Sequence, residues 1–374
     1  MKTIFFNKSR NLKIILLTGW FILANGLAGC RLAPSQPTPA PTVTLSPADQ
    51  ALSADEIATL SSLEQLDDYP LYTLRYVGTY AAPSLTDENV SQPESIDLSV
   101  SETCRTGWGC ALFAALGDAE ARLYGRNFDW RFSPALLLFT DPPDGYASVS
   151  MVDIAYLGFE GDRSKNLLDL SLSERKALLD APTLPFDGMN AQGLAVGMAA
   201  VPPGDMQPDP SKKPIDELAV IREILDHAAT VDEAVEILSS YNIDMGNVPL
   251  HYLVASTSGE AALVEFYQGE MQVFRNADPW QLATNFLVAS TNGEPQGQCP
   301  RYDRISQELQ NAGGQLTTQE ALSLLADVSQ NHPQEGSNTQ WSIVYDMSGG
   351  DINIVMGREY TNKAHVLHLT LADR

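Results

Sequence analysis

The sequence predicts an α+β domain in which sheets lie inside and helices outside. Three observations predict it. Strand-length apolar runs dominate the chain after residue 110, two pairs of helical blocks interrupt them, and 44% hydrophobic residues are enough to fill a sizeable core. Each strand expectation rests on a short β-branched or aromatic run bounded by turn residues. Such runs are Ala111 to Leu116, Arg122 to Trp130, Val149 to Leu157 and Leu194 to Val201. They continue with Tyr252 to Ala255, Ala261 to Tyr267, Met271 to Phe274, Ser342 to Asp346, Asp351 to Met356 and His365 to Leu371. Leu71 to Tyr80 is a further strand upstream.

The helices announce themselves by their first turns. Ser53 to Glu56, Thr230 to Glu233 and Thr317 to Glu320 each have capping-box spacing before an apolar-periodic run. They open helices from Ser53, over Val231 to Ser240 and over Thr318 to Val328. Periodicity adds helices over Ile215 to His227 and Arg301 to Leu309.

The amino-terminal region has a different character. Lys2, Lys8, Arg10 and Lys13 precede an acid-free apolar run from Ile14 to Leu27, which ends in Leu27-Ala28-Gly29-Cys30. Small residues before a cysteine are similar to the lipobox of bacterial lipoproteins, so residues 1–29 are expected to be a signal peptide and Cys30 the acylated amino terminus. The apolar run is short for a membrane span and is broken by Asn25 and glycines. Residues 30–47 carry prolines at 34, 37, 39, 41 and 47 and read as a semi-extended tether. The expected location is the cell membrane or outer membrane, lipid-anchored and facing the periplasm or exterior. A formal charge of −24 excludes a nucleic-acid-binding surface as the working hypothesis, because that needs concentrated positive charge.

Common catalytic motifs are missing. There is no phosphate loop, no His-Glu-x-x-His and no Gly-x-Ser-x-Gly elbow, and the five histidines lack metal-ligand spacing. No cofactor and no metal are expected. Of four cysteines, Cys30 is assigned to lipidation, and Cys104 and Cys299 are open between free thiols and a disulfide. Cys110 begins the first of two strands separated by Gly117-Asp118. A hairpin centred at residue 118 would place Arg126 opposite Cys110, where a guanidinium lowers a thiol's pKa. Asp129 would fall just beyond the paired region, within reach of an amine at residue 110.

Cys110, Arg126 and Asp129, within Gly-Arg-Asn-Phe-Asp-Trp, resemble the choloylglycine hydrolase and acid-ceramidase-like branch of the N-terminal-nucleophile hydrolases. Further motifs follow in order: Asp187-Gly188-Met189-Asn190 through Leu194, Leu250-His251-Tyr252 through Glu265, Ala283-Thr284-Asn285, and Pro300-Arg301-Tyr302. Tyr69-Pro70-Leu71-Tyr72 resembles the amino-terminal subunit of ceramidase-like members. The resemblance implies a four-layer αββα sandwich with two antiparallel sheets. It also implies self-cleavage at Gly109–Cys110, a segment 48–109 that stays associated with a catalytic domain 110–374, and an N-acyl amide substrate. Cys110 is then the nucleophile with its own α-amine as base, Arg126 tunes the thiol, Asp129 orients the amine, Asn285 donates to the oxyanion and Arg301 supports the site. One departure stands out: Ala200 occupies the position of an oxyanion-hole asparagine in bile-salt hydrolases, which argues against bile salts as substrate. The same acyl-enzyme also serves an acyltransferase, and a non-catalytic ligand-binding lipoprotein is the rival from another class. The apolar run Ala135 to Phe139, with Trp130 and Phe159, is a candidate acyl pocket, although core packing accounts for most of it. Asn190 reads as a turn residue.

Overall fold

The computed structural model describes residues 49–80, 109–204, 207–246, 248–332 and 337–372. The expected signal peptide, Cys30, the expected tether and Cys104 lie outside the described residues. Among the described residues no helix is long and apolar enough to cross a membrane.

In chain order, helix α1 (Ala54–Ser61) leads into β1 (Glu64–Asp67) and β2 (Leu71–Arg75). Strands β3 (Ala111–Ala115), β4 (Leu123–Trp130), β5 (Ala135–Thr140) and β6 (Ser148–Asp153) follow. After a run of 3₁₀ turns come β7 (Asp187–Asn190), β8 (Leu194–Ala200) and β9 (Lys213–Asp216), then α2 (Ala219–His227) and α3 (Val231–Ser240). Next are β10 (Tyr241–Asp244), β11 (Leu250–Ser256), β12 (Ala261–Tyr267), β13 (Glu270–Arg275) and β14 (Trp280–Ala283). Helices α4 (Pro300–Ala312) and α5 (Thr318–Asp327) precede β15 (Asn331–His332), β16 (Ser337–Asp346), β17 (Asp351–Met356) and β18 (His365–His368).

Two large sheets form. One has nine strands in the order β1-β2-β5-β6-β7-β8-β11-β12-β13, and the other runs β14-β3-β4-β16-β17-β18 with β15 on β16. The period-two rule explains how they stack. In β3, Leu112 and Ala114 belong to the cluster between the sheets with Met151, Val196 and Tyr252. Their neighbours Ala111, Phe113 and Ala115 join Ile305, Leu309 and Leu325 of α4 and α5 on the opposite face. Helices α2 and α3 cover the nine-stranded sheet, α2 through β7 and β8 and α3 through β11 and β12. The result is the expected αββα stack.

Several expectations need correction. The sheets are not wholly antiparallel, because β2 pairs parallel with β5, and β9 with β10 forms a small separate parallel sheet. The helix expected from Ile215 begins at Ala219 instead, since the carboxylate of Asp216 accepts the N–H groups of Leu218 and Ala219 and starts the helix there. Residues 187–190, expected as a loop, are strand β7 between β6 and β8. Ala135 to Phe139 is fully interior strand rather than pocket wall, and a strand buried on both faces shows no alternation to identify it. All three capping boxes form as expected.

Strands β1 and β2, upstream of Cys110, are part of the large sheet. Leu71, Tyr72 and Leu74 are fully buried, and the Tyr72 hydroxyl donates to the Ser164 carbonyl at 2.8 Å. Tyr69 donates to Gln340 Oε1 at 2.7 Å, and His365 Nε2 lies 2.7 Å from Asp67. Leu74→Ala should therefore lower the unfolding free energy by about 2–5 kcal/mol, the usual cost of an emptied leucine site in a core. Denaturant titration of the purified protein checks it.

Candidate active site

The hairpin β3–β4 builds the centre of the site. Its observed register pairs Leu112 with Arg126 and Ala111 with Asn127, so the turn is centred at residue 119, one later than the sequence reading placed it. The Asp118 side chain accepts the Glu120 N–H at 3.0 Å and lengthens the turn to include residue 119. Arg126 therefore sits diagonal to Cys110 rather than opposite it. Both residues still face the space between the sheets, and Arg126 Nη2 lies 3.8 Å from Cys110 Sγ. Gly125 permits the pairing, since a Cβ there would come within 2.4 Å of the Phe113 ring.

Arg126 is fully buried and its other nitrogen is committed. Nη1 donates to the Phe186 carbonyl at 2.7 Å and forms an ion pair with Asp187 on the facing sheet. Asp187 also accepts the Tyr345 hydroxyl at 2.5 Å. The sequence reading placed Asp187 in a motif but gave it no role; a partner 61 residues away leaves no local signal.

The consequence for the thiol is the reverse of the simple expectation. Burial pushes the Cys110 thiol above the ordinary cysteine value, and the lowering effect of Arg126 does not offset it. Burial also raises Asp129 from 3.8 to about 7, despite Arg301 and the Thr339 hydroxyl bonded to its Oδ1. Asp129 Oδ2 is buried and has no hydrogen-bond partner among the described residues. A Cβ on Gly109 would lie 3.0 Å from that oxygen and 2.8 Å from Gln330 Cγ, so a larger residue before Cys110 would crowd the atoms around the bond.

Arg301 and Asn285 complete the arrangement. Arg301 enters from the first turn of α4, where Pro300 opens the helix, and it is buried rather than on the surface. Its Nη1 donates to the Cys110 carbonyl at 2.6 Å and its Nη2 to Asn285 Oδ1 at 3.2 Å. Holding that oxygen points the Asn285 amide the other way, where Nδ2 donates to the Ala200 carbonyl at 2.8 Å. The amide keeps one further N–H to give. The structure thus brings together Cys110, Arg126, Asp129, Asn285 and Arg301, while the position of Ala200 contributes a carbonyl acceptor.

A cleft opens from Cys110, lined by Gly109, Asp129, Met198, Ala200 and Asn285 near the thiol. Phe128, Trp130, Tyr156, Leu184, Phe186, Leu218, Met245, Val248 and Leu250 make its apolar walls, with Asp216 and Glu217 among them. Trp130 is therefore on the cleft, whereas Phe159 is not; it is fully buried beneath Arg163. Asn190 is structural, its side chain bonding the backbone at Gln192, Leu194, Leu225 and Ala228. Among the described residues no cluster of three or more His, Cys, Asp or Glu is placed to hold a metal ion.

The layered fold and the interior thiol at the start of a central strand define the class, an N-terminal-nucleophile-type αββα protein. The chain belongs to the family described as acyl-coenzyme A:6-aminopenicillanic acid acyl-transferase, whose model matches residues 183–370. That span holds Asp187, Asn285 and Arg301 and begins after Cys110, Arg126 and Asp129. A mutant conjugated bile acid hydrolase from Clostridium perfringens is similar in structure, with a TM-score of 0.51 at 17% identity over 70% of this chain and 92% of that one. A second variant of the same hydrolase gives 0.51 at 16% identity, over 69% and 92%. These likenesses extend to the fold, and with the family match they bear out the resemblance read from the sequence. A search of curated proteins finds no match.

The raised carboxyls set a pH dependence in the uncut chain. Asp129 and Asp153, both at about 7 in the fold, hold protons that the unfolded chain releases from about pH 4 upward. These two make stability fall as pH rises from about 4 to about 7, and Glu217, raised to about 8, extends the fall to about that pH. In a Cys110→Ala background, adding Asp129→Asn should reduce that fall, as read from melting temperatures between pH 4 and pH 8.

Proposed function

We propose that the protein is a cysteine amidohydrolase that frees its own nucleophile by cutting the Gly109–Cys110 bond. One observation carries the reading: a thiol preceded by glycine lies at the end of an apolar cleft, in contact with Arg126 and Asp129 and tied through Arg301 to Asn285. In processing, Cys110 Sγ attacks the Gly109 carbonyl carbon and the Cys110 nitrogen departs with a proton. Water then hydrolyses the thioester, leaving a Gly109 carboxylate and a Cys110 α-amine.

That amine titrates near 7.7–8.0 when unperturbed, a suitable range for a general base close to neutrality. Its formation also places an N–H donor beside Asp129 Oδ2, which has no partner among the described residues and orients the amine. In turnover the amine takes the thiol proton and Sγ attacks the substrate amide carbon. The free N–H of Asn285 donates to the developing oxyanion. The amine returns its proton to the leaving nitrogen, and water hydrolyses the acyl-thioester. The apolar walls suit an acyl chain or another apolar group. The structural neighbours are hydrolases of conjugated bile acids, and their likeness supports the fold rather than a shared substrate.

The family description favours a second outcome, transfer of the acyl group from the thioester to an amine. A competing amine in the assay separates the two by product. The lipobox-like Cys30 and proline-rich tether support a lipid-anchored, extracytoplasmic enzyme whose two pieces remain associated.

Intact mass of wild type should show chains split before Cys110, and Cys110→Ala should remain whole. Wild type that stays uncut while folded and active would overturn the processing step. Asn285→Ala in processed enzyme should lower kcat by about 10²–10³-fold, the usual loss of one oxyanion donor, in a steady-state amidase assay.

A further inference from the structure

The cleft that begins at Cys110 has a second polar element that the proposed chemistry does not use. Asp216 and Glu217 line it together, among walls that include Trp130, Tyr156, Leu218 and Val248. Their backbone is fixed. Asp216 ends β9 and its Oδ1 accepts the Leu218 N–H at 2.9 Å, while the Glu217 carbonyl accepts the Tyr252 hydroxyl at 3.0 Å. The parallel pairing of β9 with β10 sets Asp244 beside Asp216.

Three acids therefore stand together, and among the described residues no cation forms an ion pair with any of them. Two buried carboxylates elsewhere are answered by a cation, Asp187 by Arg126 and Asp226 by Arg222, whereas Asp153 and Asp129 form no ion pair among the described residues. The helix start accounts for one oxygen of Asp216, but Glu217 caps nothing, and its Oε2 is buried with no hydrogen-bond donor among the described residues. Burial, and then Asp216, push Glu217 up to about 8. Near neutrality Glu217 therefore holds its proton, and burial raises Asp216 beside it as well. The facing titratable groups are Asp244 on β10, Tyr156 and Tyr252, none of which supplies positive charge. At the thiol end of the same cleft, Asp129 Oδ2 is a second buried acceptor without a partner. An apolar channel with an unneutralised carboxyl pair in its wall matches a ligand that is apolar along its length and positively charged at one point.

We propose that Asp216 and Glu217 form a specificity subsite that takes an ammonium group of the substrate, so that the preferred substrates are cationic N-acyl amides. The substrate half of this statement rests on the amidohydrolase reading; occupancy of the subsite does not.

Occupancy is tested by protection of Cys110 from iodoacetamide, read by mass, with hexylammonium, hexanol and hexanoate as probes. Hexylammonium should protect at about tenfold lower concentration than hexanol, as a charge-assisted hydrogen bond in an apolar site implies, and hexanoate should protect least. In the Asp216→Asn, Glu217→Gln double variant the advantage of the ammonium should vanish. Equal or better protection by hexanol or hexanoate in wild type would overturn the subsite, whether or not the variant folds. So would an ammonium preference that survives in a folded double variant. In parallel, hydrolysis is measured for amides with the ammonium on the acyl half or on the amine half, each against its neutral isostere. Faster hydrolysis of one cationic series supports the proposal and says which half the pair holds, whereas preference for the neutral isosteres overturns it. Ammonium protection without hydrolysis of any amide would support the subsite and sink the amidohydrolase reading alone.

Discussion

The contact on which the site depends is the buried ion pair between Arg126 and Asp187, one partner from each sheet. Neither side chain meets water, so each charge is tolerable only because the other is there. Removing one partner of such a pair typically costs about 3–5 kcal/mol, since a naked charge is left in the interior. The pair fixes the spacing of β4 over β7 immediately beneath the thiol. It also decides the electrostatics there. Much of the guanidinium charge is answered by Asp187, and what remains does not offset the burial of Cys110. Before processing, then, the thiol is held in its protonated form. A thiol of that kind needs a base, and the α-amine that the proposed cleavage would release is one.

Asn285 and Arg301 belong to the same economy of buried polar groups. Arg301 links the Cys110 carbonyl to the Asn285 side chain, so the atom that reacts and the donor proposed for its oxyanion share one rigid support from α4. The guanidinium is suited to this because its donors lie in one plane and reach two acceptors at once. It acts by positioning, through Asn285 and the nucleophile's own backbone.

Much of this was legible in the sequence because it is local. Capping boxes repeat within four residues, and strands covered by a sheet on one face and helices on the other still show short apolar runs between turn residues. Cys110, Arg126 and Asp129 fall on one hairpin, so their proximity follows from spacing even though the register was misplaced by a residue. A diagonal neighbour is still a neighbour, which is why Arg126 reached the thiol regardless. What stayed hidden is non-local. Asp187 is brought to Arg126 by sheet stacking, Thr339 to Asp129 by strand pairing, and Asp216 and Glu217 to the cleft by a short strand that periodicity had merged into a helix. The interior strand Ala135–Thr140 escaped because uniform apolarity carries no period.

The place of Leu71–Arg75 in the nine-stranded sheet has a consequence for assembly. It separates β1 from β5, and β5 is buried along its whole length. A polypeptide begun at Cys110 would leave β5 as a bare edge, six interior residues with unpaired N–H and C=O groups, the template for strand-to-strand aggregation. The upstream segment would in this sense act as a built-in chaperone, because β2 covers the edge that β5 would otherwise present.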